Sequence, residues 1–170
     1  YKANRKSTRK PLCLGPLFEF IKEEFNHVIL DRLEADDTMG ILATQEPDRY
    51  LIVSDDKDMV TIPDARIWKD GEILHITPEE AYENFITQAL KGDPTDGYYG
   101  CKGIGEVTAR KIIDKHRGTP ESLWEGVVKA YKGDAEDALL NARMARILTS
   151  DLYNDEPILW NPPIIDKELV

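Results

Sequence analysis

The sequence predicts an α/β fold, a parallel-sheet core followed by a helical region. Three observations carry that expectation. Between residues 28 and 53 a short apolar run, a stretch of helical periodicity and a second apolar run succeed one another, the order of a parallel strand-helix-strand unit. From residue 97 onward a glycine-rich loop is followed by helical periodicities alone. The chain has 170 residues, 41% of them hydrophobic, which suits one core with a small appendage and is too apolar for disorder.

Taken in order, residues 1–10 hold five basic side chains and no acid, a solvated arm or a phosphate contact. Leu14, Leu17, Phe18, Ile21 and Phe25 recur at helical spacing with Glu19, Lys22, Glu23 and Glu24 mostly between them, predicting an amphipathic helix that ends near Asn26. Val28-Ile29-Leu30 reads as a buried parallel strand, residues 33–43 as a helix, and Tyr50-Leu51-Ile52-Val53 as a second strand stopped by Ser54-Asp55-Asp56-Lys57-Asp58. Ala65–Trp68 and Ile73–Ile76 flank Lys69-Asp70-Gly71-Glu72, where Asp-Gly signals a hairpin turn. Thr77-Pro78-Glu79-Glu80 supplies an N-cap, a Pro at the first helical position and a Glu at the third, opening a helix that stops at Gly92. A basic helix with Arg110, Lys111, Lys115 and Arg117 follows the glycines. A helix capped by Thr119-Pro120 and another from about Ala135 to Leu148 come next, and the tail Trp160-Asn161-Pro162-Pro163 is irregular. Trp68, Trp124, Trp160, Tyr82 and Phe85 read as core or packing residues, and so do Tyr98 and Tyr99, for both of which nucleotide stacking is the alternative.

No apolar run approaches the roughly 20 residues that span a membrane, and no signal-peptide pattern opens the chain, so a soluble cytoplasmic protein is expected. Cys13 and Cys101 stand alone, without zinc-ligand spacing. His27, His75 and His116 are scattered, and no hydroxyl has a nucleophile's partners. The net charge of −10 argues at first against a nucleic-acid partner.

The location of the charge reverses that argument. Acids gather in three groups at element boundaries: Glu34, Asp36 and Asp37; Asp55, Asp56 and Asp58; Asp93 and Asp96. In an open parallel sheet, groups beyond the strand ends converge on the ligand crevice. Carboxylates so close stay ionised only with cations between them, and hard oxygen donors without Cys or His select magnesium or manganese. The use of such a cluster is two-metal phosphoryl chemistry. A single Asp-x-Asp would read as a solvated helix terminus; three such groups favour metal.

Gly100-Cys101-Lys102-Gly103-Ile104-Gly105 follows no strand and so is no dinucleotide fingerprint. It fits either a glycine-rich loop before an amphipathic helix or a tight turn whose amides face a phosphate, with Ile104 anchoring it and Arg110, Lys111 and Lys115 extending the contact without reading bases. Residues 97–117 carry five basic and two acidic side chains, which beside an acidic metal cluster favours nucleic acid.

At these residues the chain resembles the 5′ nuclease (flap endonuclease) superfamily: Leu33-Glu34-Ala35-Asp36-Asp37, Ser54-Asp55-Asp56-Lys57-Asp58, Gly92-Asp93-Pro94-Thr95-Asp96 and Gly103-Ile104-Gly105 match its signature in order and spacing. Tyr1-Lys2-Ala3-Asn4-Arg5-Lys6 and Met144-Ala145-Arg146-Ile147-Leu148 are most similar to the short phage 5′ to 3′ exonucleases. The resemblance implies a PIN-like core over residues 1–96, with 1–27 as a helical gateway, and a helix-hairpin-helix DNA-binding region over 97–170. It implies that Glu34, Asp36 and Asp37, with Asp56, serve one Mg2+ or Mn2+ and that Asp58, Asp93 and Asp96 serve or adjoin a second. It further implies that Lys2 and Arg5 approach the scissile phosphate, and that K+ is held by backbone carbonyls of Cys101 and Ile104. Asp55 stands where the family usually has Gly. The family's first strand, ending in a metal-binding Asp, and a further Asp would lie upstream of Tyr1, so an incomplete first site is expected. The implied activity is 5′ to 3′ exonuclease or 5′ flap endonuclease action on DNA by a monomer, in the host cytoplasm if phage-encoded. The alternatives are a DNA-binding fragment that cannot cleave and a ribonuclease acting on RNA–DNA hybrids.

Overall fold

The computed structural model describes residues 9–163; Lys2 and Arg5 lie outside them. Helix α1 (Leu14–Glu24) forms where the apolar spacing predicts, yet buries none of its residues. Helix α2 (Ala35–Gln45) begins with Asp36 and Asp37 in its first turn, where the helix dipole favours negative charge.

The sheet is smaller than expected, and mixed. Strand β1 (Ile52–Val53) pairs in parallel with β2 (Arg66–Lys69), which pairs antiparallel with β3 (Glu72–His75). The hairpin closes as predicted through Asp70 and Gly71, both at positive φ. The expected strand at Val28–Leu30 is absent, and the acidic group at residues 34–37 therefore follows an irregular segment. That apolar run has no ladder partner among the described residues, and a strand without one leaves its backbone amides unpaired. Val28 and Ile29 remain exposed. The parallel partner of β1 is instead β2, reached through a 3-10 helix (Lys57–Thr61). Trp68, expected in the core, is half-exposed on β2.

Helix α3 (Pro78–Lys91) is the spine of the molecule. Its start carries the predicted capping box: Glu80 N–H donates to Thr77 Oγ1 (3.2 Å) and Thr77 N–H to Glu80 Oε2 (3.0 Å). It buries Phe85, Ile86, Ala89 and Leu90 against α4 (Glu106–His116), α5 (Pro120–Ala130) and α6 (Ala135–Ala145). The Tyr131 hydroxyl donates to the Ala89 carbonyl at 2.7 Å, and Trp160 closes the cluster edge-on against Phe85 and Trp124. A second apolar cluster of Ala43, Ile52, Met59, Ile62, Ile67 and Ile147 ties sheet and α2 together.

Helix α6 stops three residues short of the predicted Leu148 because α2 captures the backbone beyond it. Leu148 N–H donates to Asp37 Oδ1 (3.0 Å) and Ser150 N–H to Thr44 Oγ1 (2.8 Å). Gly40 permits the approach: a Cβ there would lie 2.3 Å from the Leu148 carbonyl oxygen. The tail Trp160–Pro163 is irregular as expected, and before it lies a small hairpin without a counterpart in the expectations, β4 (Tyr153–Asn154) with β5 (Glu156–Pro157).

Candidate metal centre and nucleic-acid interface

The residues that carry charge at the site are placed by short-range devices. Asp56 lies three residues beyond β1, and its carboxylate caps the 3-10 helix by accepting from Asp58 N–H at 2.9 Å, which turns Asp58 inward. Asp93 follows Gly92, the C-cap of α3; its Oδ1 accepts from Thr95 N–H (2.8 Å) and its backbone bridges Tyr98, folding residues 93–98 into a tight turn. That turn returns Asp96 toward Asp58.

The outcome is convergence. Glu34, Asp36, Asp37, Asp58 and Asp96 line one cavity of about 210 Å³, and Arg143 and Arg146 line it with them. Carboxylate oxygens of Asp58, Asp93 and Asp96 lie within 4.8 Å of one another. Asp56 is exposed and Asp93 buried. Burial, then the neighbouring Asp56, Asp93 and Asp96, push the Asp58 carboxyl above the usual carboxylate range, against the Lys57 charge. Asp93 is displaced the other way: burial opposes its charge, but the hydrogen bonds from Lys57 and Thr95 outweigh that and hold it below the usual range.

Four residues at the site carry no role in the sequence reading: Lys57, Gln88, Arg143 and Arg146. Lys57 Nζ forms an ion pair with Asp93 Oδ2, Gln88 Nε2 donates to Asp58 Oδ1 at 2.8 Å, and Arg146 packs its guanidinium 5.1 Å from the Phe85 ring centre. Burial lowers the Arg146 pKa. A polar Gln88 on the apolar stripe of a helix is a visible signal, and Lys57 and Arg146 lie inside two of the family-like motifs, whereas nothing local marks Arg143. The donor set fits a hard divalent ion, since it consists of clustered carboxylates. Beside it the buried Gln88 Oε1 has no hydrogen-bond donor among the described residues.

The glycine-rich turn lies against the other end of the same loop. Cys101 N–H donates to the Leu90 carbonyl (2.8 Å), Gly100 N–H to Asn141 Oδ1 (2.9 Å), and the Cys101 carbonyl accepts from Ile104 N–H (3.0 Å). Gly103 has φ +83°, Ile104 packs on the helical core and Gly105 caps α4. Tyr98 is buried and Tyr99 is 76% exposed. On α4 the exposed face carries Lys111 and Lys115, opposite buried Ala109 and Ile113. Arg110 points into acids, at 3.8 Å from Glu83 and 3.6 Å from Asp114, and Arg117 pairs with Glu83 at 2.6 Å.

No family model matches the chain. It is 33% identical over 203 residues to the exodeoxyribonuclease of Enterobacteria phage T3 and 34% identical over 207 residues to the exonuclease of Escherichia phage T7. Each match covers 95% of this chain, which spans 67% of either phage protein. Among solved structures, the T5 D15 protein co-crystallised with metal ions has a TM-score of 0.63 at 18% identity, over 85% of this chain and 66% of that one, a likeness of fold.

Proposed function

The chain belongs to the 5′ nuclease superfamily of 5′-3′ exonucleases, and from that membership we propose that it hydrolyses DNA from a 5′ end at the acidic basin. The observation that carries the proposal is the convergence of acids from three separate stretches of sequence on one cavity. Paired magnesium or manganese ions, when bound, would supply Lewis acidity toward the scissile phosphate and lower the pKa of the attacking water.

Within this proposal Glu34, Asp36 and Asp37, with Asp56, hold the first ion, and Asp58, Asp93 and Asp96 hold the second. Residues 1–96 form the nuclease core, with 1–27 as gateway from which Lys2 and Arg5 approach the phosphate. Residues 97–170 grip the duplex. There Ile104 anchors the turn while the adjacent amides of Gly103 and Gly105 face a phosphate, with K+ at the Cys101 and Ile104 carbonyls, and Lys111 and Lys115 follow the backbone. Arg110 shares its charge with Glu83 and Asp114, so its phosphate contact is weaker than those of the lysines. DNA is the substrate, the protein acts as a monomer, and among the described residues no helix is long and apolar enough to cross a membrane.

The test is incubation of the protein with 5′-flapped, nicked and blunt duplexes in Mg2+ and in EDTA. Short products with 5′ phosphates are expected in Mg2+ alone. Tight binding with no Mg2+-dependent cleavage of any DNA would overturn the proposal in favour of a binding module. Cleavage confined to RNA–DNA hybrids would reassign the substrate.

The duplex grip has its own expected result. Replacing Lys111 and Lys115 together by alanine weakens binding of all duplex sequences alike. Each lost phosphate contact lowers the slope of log affinity against log salt by about 0.9, so the double variant loses roughly 1.8. Fluorescence anisotropy across a salt series measures it.

A further inference from the structure

Resting on this reading of the basin, we propose that Lys57 is the centre's own counter-cation: it holds Asp93 in the ion-free protein and releases that carboxylate when the second divalent ion binds, and so sets that ion's affinity. The argument begins with the oxygens of Asp93. The Thr95 amide occupies Oδ1 at 2.8 Å and the Lys57 ammonium occupies Oδ2. A divalent ion gathering Asp58, Asp93 and Asp96, whose oxygens lie within 4.8 Å of one another, would sit beside that ammonium and be repelled by it. One of the two cations must withdraw.

The surroundings decide which. The Asp93 side chain is only 10% exposed and its loop is locked by backbone hydrogen bonds, so the carboxylate stays in place. The Lys57 side chain is 59% exposed at the start of a short 3-10 helix, and its long aliphatic stem lets the ammonium withdraw into water. The other cations at the basin are differently built. Arg146 is held against the Phe85 ring, and Arg143 donates to the Trp160 carbonyl and to Asn161 Oδ1. Among the described residues, Lys57 is therefore the basin cation able to exchange with a metal. Without metal it offsets one charge of a cluster that would otherwise repel itself; with metal it is the competitor.

The experiment compares the parent with Lys57→Met, which loses the charge, Lys57→Gln, which keeps a donor for Asp93, and Lys57→Arg, which keeps the cation. Mn2+ binding is followed by calorimetry and electron paramagnetic resonance, and heat stability is measured in EDTA. The Met and Gln variants should bind the weaker Mn2+ on the order of tenfold tighter, the effect of removing one unit charge beside the ion in a half-wet site. The Arg variant should bind like the parent. In EDTA, Lys57→Met should melt below the parent, and saturating Mn2+ should close the gap. Unchanged or weaker Mn2+ binding in both neutral variants overturns the proposal. Should Lys57→Met fail to fold in EDTA, Lys57→Gln decides alone. A parent that binds no Mn2+ overturns the metal reading of the basin itself, whereas the EDTA melting comparison tests the Lys57–Asp93 pairing separately.

Discussion

Asp58→Asn should abolish Mg2+-dependent cleavage and, in the metal-free protein, raise heat stability. Both effects follow from the same position. Asp58 lies between Asp56, Asp93 and Asp96, and burial together with those charges raises its pKa. A carboxyl whose folded pKa exceeds its unfolded value favours folding while it is protonated, below the unfolded pKa. That contribution is lost as the pH climbs through the folded pKa, so at neutral pH its ionisation costs stability. Asparagine is neutral at every pH and still accepts the hydrogen bond from Gln88 through its amide oxygen. The variant should therefore melt higher than the parent in EDTA near pH 7, and the difference should shrink as the pH falls below the unfolded carboxylate range. In Mg2+ the order reverses, because the parent gains ion binding that the variant has lost. Losing a metal that stabilises transition-state charge by several kcal/mol lowers the rate by on the order of 10³-fold. Melting curves with and without Mg2+, alongside the flap assay, check both signs. A variant that cleaves at parental rates removes Asp58 from the site.

Gly92→Ala should be among the most damaging single changes to the fold. At Gly92 the end of α3 crosses the backbone of residues 99–100 so closely that an added Cβ would lie 2.3 Å from the Tyr99 carbonyl carbon, and φ is +72°. The clash is with backbone, which no side-chain rotation relieves. The left-handed conformation costs about 1–2 kcal/mol for a residue with a Cβ and the forced backbone shift adds about 1–3, in total roughly 2–5 kcal/mol. For a domain of this size that lowers Tm by on the order of 10 °C. Because the same crossing folds the Asp93–Tyr98 turn, Mn2+ affinity should fall with stability. Gly103→Ala provides the contrast: φ is +83° but nothing lies within 4 Å of the added methyl group, so only the conformational cost applies. Thermal melts of the two variants should differ clearly.

The legible parts of the sequence share one property: their causes lie within a few residues. The capping box at Thr77 and Glu80, the Asp70-Gly71 turn and Gly92 at the end of α3 all appear where their residues predict. The acidic groups were equally visible, because carboxylates concentrated at element boundaries stand out without any knowledge of the fold. Val28–Leu30 shows the limit. Its apolar run is as strand-like as Tyr50–Val53, but a strand exists only where a neighbour supplies hydrogen bonds, and the neighbour is chosen by topology. Trp68 was misassigned for a related reason, since aromatic identity does not say which face of a strand is covered.

By itself, then, the sequence determined the helices, the hairpin and the glycine turn, together with the acids available to bind metal. Each follows from local hydrogen bonding and spacing. Only the tertiary structure decided that β1 pairs with β2, that α2 captures the backbone at Leu148 and ends α6 early, and that Lys57, Gln88, Arg143 and Arg146 border the basin. Those outcomes depend on contacts between segments far apart in the chain, such as Asp37 with Leu148 and Lys57 with Asp93, whose free energies no local pattern encodes.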